Sequence, residues 1–598
     1  MRNARAILAL VLFGLPAAAG AQEAPPGQDT AIVVQGQRNR PSNWRQAETD
    51  HLVVISDGSE KDLARIAHNL ERLHFLLSVL LNRVDQPDQA LKLRVTLVGD
   101  GAEFDAMDLR NLRYSPGPFA RAFPAPAYYD PREDGAVFAA SRFDQKAVLE
   151  QGQALGNILP DLVRATSPEA TATPGASSEN PGLGATLSAS YSGSLARFGR
   201  DDPMALSVNE LSVPVSAEGR IYAGYARHFL MTYFPNAYPR WYVDGFGEMF
   251  ATLAIEGDAR IEYGRAPEGY RKVLDKYARV PIADVLTGRT LGDRKAGERW
   301  TPFHAWALTH MLFFSNERRG QLHAYLATIA AGGSMEKAAA AFGDMAKLQS
   351  DLTAYDRGKM PYEQMSYPAD RAGEPVVRRL SEGEAAFVKG RLELGARTAV
   401  PLASDDARLE KVRANAITRR DDWLKGLRRD AARYPANLDA QLLLAEAECR
   451  SGNGSECMSA AARALAIAPG NSDALVWQGT GQAEIALAAP AGQRAAKLKT
   501  ARIIIARANR ANSESPLPLL AYYRSFADAG ETPPDVAVEG LMKARDLVPS
   551  SPAPRLLLGE ALAKRGNSEA ARIALIPVAA SPYDMPEKAQ AVALLAKP

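Results

Sequence analysis

From His51 onward the apolar positions fall into short periods. "HLVVISD" is a β-rich run, and Ser59 after it is placed to cap a helix. In that helix Leu63, Ile66, Leu70, Leu73, Leu77 and Leu80 recur at steps of three and four, which makes one apolar face. In "LKLRVTLVGD" Leu91, Leu93, Val95 and Leu97 alternate with Lys92, Arg94 and Thr96, the pattern of a strand with one buried and one wet face. The spacing predicts a strand–helix–strand unit. Residues at about 167–217 are loaded with Ser, Thr, Ala, Gly and Pro without sustained period and read as a loop-like insertion. Order returns at Arg220. "IYAGYARHFLMTYF", "GFGEMFATLAI", "HAWALTHMLFF", "QLHAYLATIAA" and "MEKAAAAFG" are helix-length segments separated by Pro or Gly turns, down to about Leu352.

Composition changes the picture mainly at the N-terminus. Arg2 and Arg5 precede an apolar run, Ala6 to Leu15, and the small residues Ala19-Gly20-Ala21 follow. This predicts a cleaved signal peptide over residues 1–21 and a periplasmic or secreted protein. The run is shorter than the ~20 residues of a membrane span, and no other stretch is long enough, so no transmembrane segment is expected. Cleavage removes two arginines and no acid, taking the formal charge from +2 to 0 and leaving no electrostatic case for nucleic acid. Residues 22–43 read as a Pro-, Gly- and Gln-rich flexible leader. With 598 residues the chain exceeds what one core serves, so two or more domains are expected.

The segment from Ile221 to Leu253 carries the candidate chemistry. A zinc hydrolase helix commonly places two histidines four residues apart on one face, with a glutamate directly after the first as general base. "FPNAYPRWYVDGFGEMFAT" and "HAWALTHML", together with the strand–helix–strand unit, resemble the gluzincin-like metallopeptidases. The resemblance covers roughly residues 44–365 and implies an α+β domain, a small β-sheet plus a helical subdomain. It places Ala223 at the first zinc histidine, Gly224 at the catalytic glutamate, Arg227 at the second histidine and Glu248 at the third ligand. Asp244 replaces a glutamate of the motif, and Trp241 and His310 fall in the vestigial cleft.

Alanine and glycine offer zinc no electron pair, and a guanidinium repels a dication. No catalytic residue, metal or cofactor is therefore expected. The stranded carboxylate predicts an Arg227–Glu248 ion pair, since a buried charge is costly unless paired. His228 lies about 100° round the helix from Arg227 and is expected to point away. His68 and His74, and His304 and His310, are six apart and do not share a helix face.

Residues 366–420 read as a connector. Beyond about Asp421, Pro435, Pro469, Asn512, Pro549 and Pro582 are separated by 34, 43, 37 and 33 residues. That period resembles tetratricopeptide repeats, and implies an all-α solenoid over 421–598 that binds a protein or peptide partner, or else braces the first domain. Small residues match the repeat pattern at Ala445, Gly479 and Gly559 in first helices and at Ala464 and Ala571 in second helices. Cys449 and Cys457, the only cysteines, fall in one helix pair; in an exported protein a disulfide is the favoured reading over two buried thiols. The function expected is that of a catalytically inactive, exported pseudopeptidase acting as a binding or scaffold module. The alternative is a hydrolase using unusual ligands in the same cleft.

Overall fold

Ser59 does cap the first helix: its hydroxyl accepts from the Asp62 amide and α1 runs Glu60–Leu80, burying Leu63, Ile66, Leu70, Leu73 and Leu77. The computed structural model describes residues 41–598 except 84–89, 100–105, 108, 110–126, 143–216, 258, 268–269, 272–273, 275–279, 290–295, 369–370, 372, 584 and 597–598. The signal peptide, the leader up to residue 40 and the insertion up to residue 216 lie outside the described residues.

Strands β1 (Pro41–Glu48), β2 (Leu52–Ser56), β3 (Leu93–Val98), β4 (Ala127–Arg132), β5 (Gly135–Ser141) and β9 (Val376–Ser381) form one six-stranded sheet in the order β4-β5-β3-β2-β1-β9. β2 and β3 pair in parallel, as a strand–helix–strand crossover requires. Leu93, Val95 and Leu97 face the α1 side, but Thr96, expected wet, is 3% exposed. The second sheet face is covered here as well, by an apolar cluster of Val98, Val137, Ala139 and Leu392.

The helical half of the first domain comprises α2 (Ala217–Tyr233), α3 (Arg240–Glu248), α4 (Ile282–Thr287), α5 (Ala296–Phe314), α6 (Arg319–Ala330), α7 (Met335–Ala339) and α8 (Met345–Arg357). A small sheet of β6 (Ala254–Glu256), β7 (Arg260–Tyr263) and β8 (Glu363–Ser366) flanks it. The helix expected through "GFGEMFATLAI" ends at Glu248, and Ala254–Glu256 is strand β6 instead.

The connector expected at 366–420 is corrected most. It begins with β9, which pairs antiparallel with β1 and closes the main sheet. It continues into α9 (Glu382–Thr398), which Ser381 and Glu384 cap reciprocally, and α10 (Ala407–Arg433). Phe387, Leu394, Leu424 and Leu427 of these two helices share a core with the helices that come after, so the helical array starts before residue 421.

The array continues through α11 (Leu438–Arg450), α12 (Gly454–Ile467), α13 (Ser472–Leu487), α14 (Ala491–Ala511), α15 (Pro516–Ala527), α16 (Asp535–Leu547), α17 (Pro552–Lys564), α18 (Ser568–Ala579) and α19 (Pro586–Leu595). Consecutive helices pack on one another, and α9 with α11, α11 with α13, and α13 with α15 stack across pairs. Ala445, Ala464 and Ala571 are buried where helices meet. Cys449 and Cys457 form a disulfide between α11 and α12, with Cα atoms 5.1 Å apart.

Glu484 on α13 has an oxygen that is sealed from solvent without a hydrogen-bond partner, and burial pushes its carboxyl up to about 7. Because the folded pKa is raised, folding favours the protonated form. That advantage is full below about pH 4.5 and is lost as pH rises to 7. Glu484→Gln is therefore expected to raise stability by about 1 kcal/mol at pH 8, after allowance for partial exposure, and to be neutral at pH 4. Urea unfolding at both pH values checks this, and equal effects at the two would refute it.

The repeats do not stand apart from the first domain. The β4–β5 hairpin tip reaches them through Glu133, whose carboxylate takes Arg524 Nη1 and Nη2 at 2.8 and 2.5 Å. The Leu91 amide donates to the Leu547 carbonyl at 3.1 Å. Ile576, Tyr583 and Met585 are buried in the first domain's own core cluster.

Candidate functional site

The site is built where α2, α3 and α5 meet beneath β5. Small residues on α2 let it approach the sheet: a Cβ at Gly224 would collide with the ring of Phe138 on β5. On α3, a Cβ at Gly247 would lie 2.7 Å from Arg227 Cγ and Nε and 2.8 Å from the Ala223 carbonyl oxygen. Glycine at both positions is a matter of room. The room at Gly247 is what admits the Arg227 side chain.

Glu248, the last residue of α3, is 0% exposed. Its Oε1 accepts from Arg227 Nη2 at 2.6 Å, and Arg220 Nη1 lies 2.8 Å from both carboxylate oxygens. Tyr270 donates its hydroxyl to Oε2 at 2.6 Å and accepts from Arg220 Nη2 at 2.9 Å. The Arg227–Glu248 pair expected from sequence is thus present, inside a larger network. Burial alone would push the Glu248 carboxyl up, but Arg220 and Arg227 outweigh it and hold it below the usual carboxylate range.

Arg220 and Tyr270 escaped the sequence reading. Arg220 had a legible signal, since it lies seven residues before Arg227 and so on the same side of α2. Tyr270 had none: it comes after an irregular stretch beyond β7, and only the fold brings it to Glu248.

Asp244 stands one turn before Glu248, with its oxygens 3.6 Å from Arg227 Nε and from Arg240 Nε. Those separations are too long for hydrogen bonds, and Asp244 Oδ2 and both Nε atoms are buried without a hydrogen-bond partner. Arg227 gains charge stabilisation from Asp244, whereas the Asp244 carboxyl itself is raised. Burial raises Asp244 because its contacts with Arg227 and Arg240 are too loose to offset the loss of solvent.

Trp241, Asp244 and His310 are 2%, 3% and 0% exposed, so they do not line an open cleft. Trp241 Nε1 donates to the Tyr325 hydroxyl at 3.0 Å, which donates onward to the Leu286 carbonyl at 2.8 Å. His310 donates through Nε2 to the Gly264 carbonyl at 2.6 Å and sits 2.7 Å from the Tyr355 hydroxyl through Nδ1. Burial pulls its pKa down to about 4, so the ring is neutral and Nδ1 accepts from Tyr355.

His228 likewise faces away from Glu248, toward the Tyr129 and Thr232 hydroxyls, and burial pulls it down to about 3. Among the described residues no group of three or more His, Cys, Asp or Glu is placed to hold a metal ion. Ala223 and Gly224 carry no donor atoms, and the donors of Arg227 are turned on Glu248. The arrangement can neutralise charge and lock α2 to α3.

No protein-family model matches the chain, and no curated protein matches it. Among solved structures the chain is similar to TTC0263, a thermophilic TPR protein of Thermus thermophilus, at 20% identity and a TM-score of 0.27 over 31% of this chain and 94% of that one. It is also similar to MamA, at 15% identity and a TM-score of 0.21 over 29% of this chain and 96% of that one. Likenesses of this size carry no argument about function.

Proposed function

We propose that this chain is an exported, catalytically inactive metallopeptidase-like protein whose tetratricopeptide-like repeats serve a protein- or peptide-binding, scaffold role in the cell envelope. The observation that carries the reading is the occupation of Glu248. Its two oxygens receive four donor contacts from Arg220, Arg227 and Tyr270, which uses the roughly four acceptor sites of a carboxylate. Nothing is left of it for a dication. Without a Lewis acid nothing lowers the pKa of the attacking water, and Gly224 cannot take its proton.

Export is supported by the leader pattern and agrees with a disulfide, which persists in oxidising compartments. The binding role is supported by the stacked helix pairs, an architecture that mainly offers surface. The hairpin tip at Glu133 already uses part of that surface within the chain. An outside partner would take the remainder.

Elemental analysis of the full chain, before and after incubation with zinc, tests the proposal together with a peptide-library assay. We expect less than about 0.1 equivalents of zinc and no turnover. Stoichiometric zinc, with hydrolysis that a chelator abolishes, would overturn it.

A further inference from the structure

A cavity of about 150 Å³ lies between the wet face of β3 and the helices α11, α13 and α15. It is remote from the Glu248 network, and its chemistry is independent of the function proposed above. Four of its charged residues are committed elsewhere. Glu446 binds Arg391 at 2.6 Å and Arg450 at 2.8 Å, Asp134 lies 3.7 Å from Arg391, and Glu514 binds Lys543 at 2.8 Å.

Two are not committed. Arg94 on β3 and Asp473 in the first turn of α13 both line the cavity, yet neither makes a hydrogen bond or ion pair among the described residues. By surface area Arg94 is exposed and Asp473 half-buried, and each feels the other's charge across the cavity together with those of Arg391, Asp134 and Glu446. Leu442, Trp477 and Leu517 supply apolar wall. A guanidinium and a carboxyl that face one cavity without a direct hydrogen bond keep their donors and acceptors open to a ligand that carries both opposite charges.

We propose that this cavity binds a free α-amino acid with an apolar side chain, its carboxylate on Arg94, its ammonium on Asp473 and its side chain against Trp477. The size agrees, since a cavity of about 150 Å³ accommodates a benzene-sized group whereas drug-sized ligands need about 300 Å³ or more. An arginine takes a carboxylate through two parallel N–H donors, and an ammonium supplies three donors for a carboxyl.

Calorimetric titration of the full chain with L-leucine, N-acetyl-L-leucine and L-leucinamide tests the assignment. L-leucine is expected to bind, with each blocked derivative weaker by at least about tenfold, and with Arg94→Ala and Asp473→Asn each reducing L-leucine affinity by a similar factor. Arg94→Ala removes no hydrogen bond or ion pair among the described residues and should keep the parent melting curve; the near-isosteric Asp473→Asn provides a second arm. No heat from L-leucine at about 10 mM, equal binding of N-acetyl-L-leucine, or unchanged affinity in Arg94→Ala would each overturn it.

Discussion

Glu248→Ala should lower the free energy of unfolding by about 3–5 kcal/mol, the largest loss expected of any single truncation in the first domain. The carboxylate bonds to both Arg220 and Arg227, at 2.8 and 2.6 Å, and both guanidiniums are buried. Removing it leaves two cations in an apolar interior and deprives Tyr270 of its acceptor. Water cannot easily enter in its place, because Phe303 and Trp306 pack edge-on against Tyr270 inside the main core.

The same network sets an acid limit. Since the folded-state pKa of Glu248 is depressed, its contribution is present above about pH 4.5 and is lost as pH falls through the lower folded value. Urea unfolding followed by circular dichroism at pH 7 and pH 4 checks both statements, with the gap between parent and Glu248→Ala narrowing on the acid side. A variant that unfolds like the parent at pH 7 would show that the cluster is not coupled to the fold. Replacing all of Arg220, Arg227 and Glu248 with apolar residues of similar volume is expected to be far milder than the single truncation, because no buried charge of the network is left unpaired.

Gly224→Glu, which would restore the proton acceptor of the resembled motif, should cost at least about 3 kcal/mol and give no hydrolysis. The first added carbon meets the Phe138 ring, so α2 must move off β5 or the ring must leave its place in the core. A carboxylate would then have to find partners in an interior where Arg220 and Arg227 are already turned on Glu248. Gly224→Ala separates the two contributions: it keeps the collision without the charge and should cost about 1–3 kcal/mol. Thermal melting and soluble yield of the two variants report the result. A Gly224→Glu protein melting with the parent would mean that α2 and β5 are not tightly apposed.

On the function proposed above, packing as well as substitution closes the positions of the resembled motif. Phe138 packs directly on Gly224, and Arg227 fills the space that glycine at 247 leaves open. Tyr583 and Met585, from the turn after α18, are packed into the same core. Introducing histidines at these positions one at a time would therefore meet steric and electrostatic resistance from three separate elements.

Local periodicity was enough for β2, α1 and β3, because period two and period 3.6 are written in neighbouring residues and Ser59 marks its own helix start. It was enough for most of the repeats too, where spacing near 34 residues sets one helix pair after another. The Arg227–Glu248 pair followed from positions that converge in the resembled family. The connector was misread because β9 is an edge strand, "VVRRLS", with Val376 and two arginines exposed; its identity as a strand comes from pairing with β1 more than 300 residues away. Tyr270 and the docking of Tyr583 carried no local signal for the same reason.

What the amino-acid order determined by itself were the elements and their apolar faces, since these depend on residues a few positions apart. Which buried charge neutralises which, and that Arg94 and Asp473 face one pocket, was decided only by the tertiary structure. Coulomb energy in a desolvated interior depends on separations of a few ångströms between residues that the chain holds far apart.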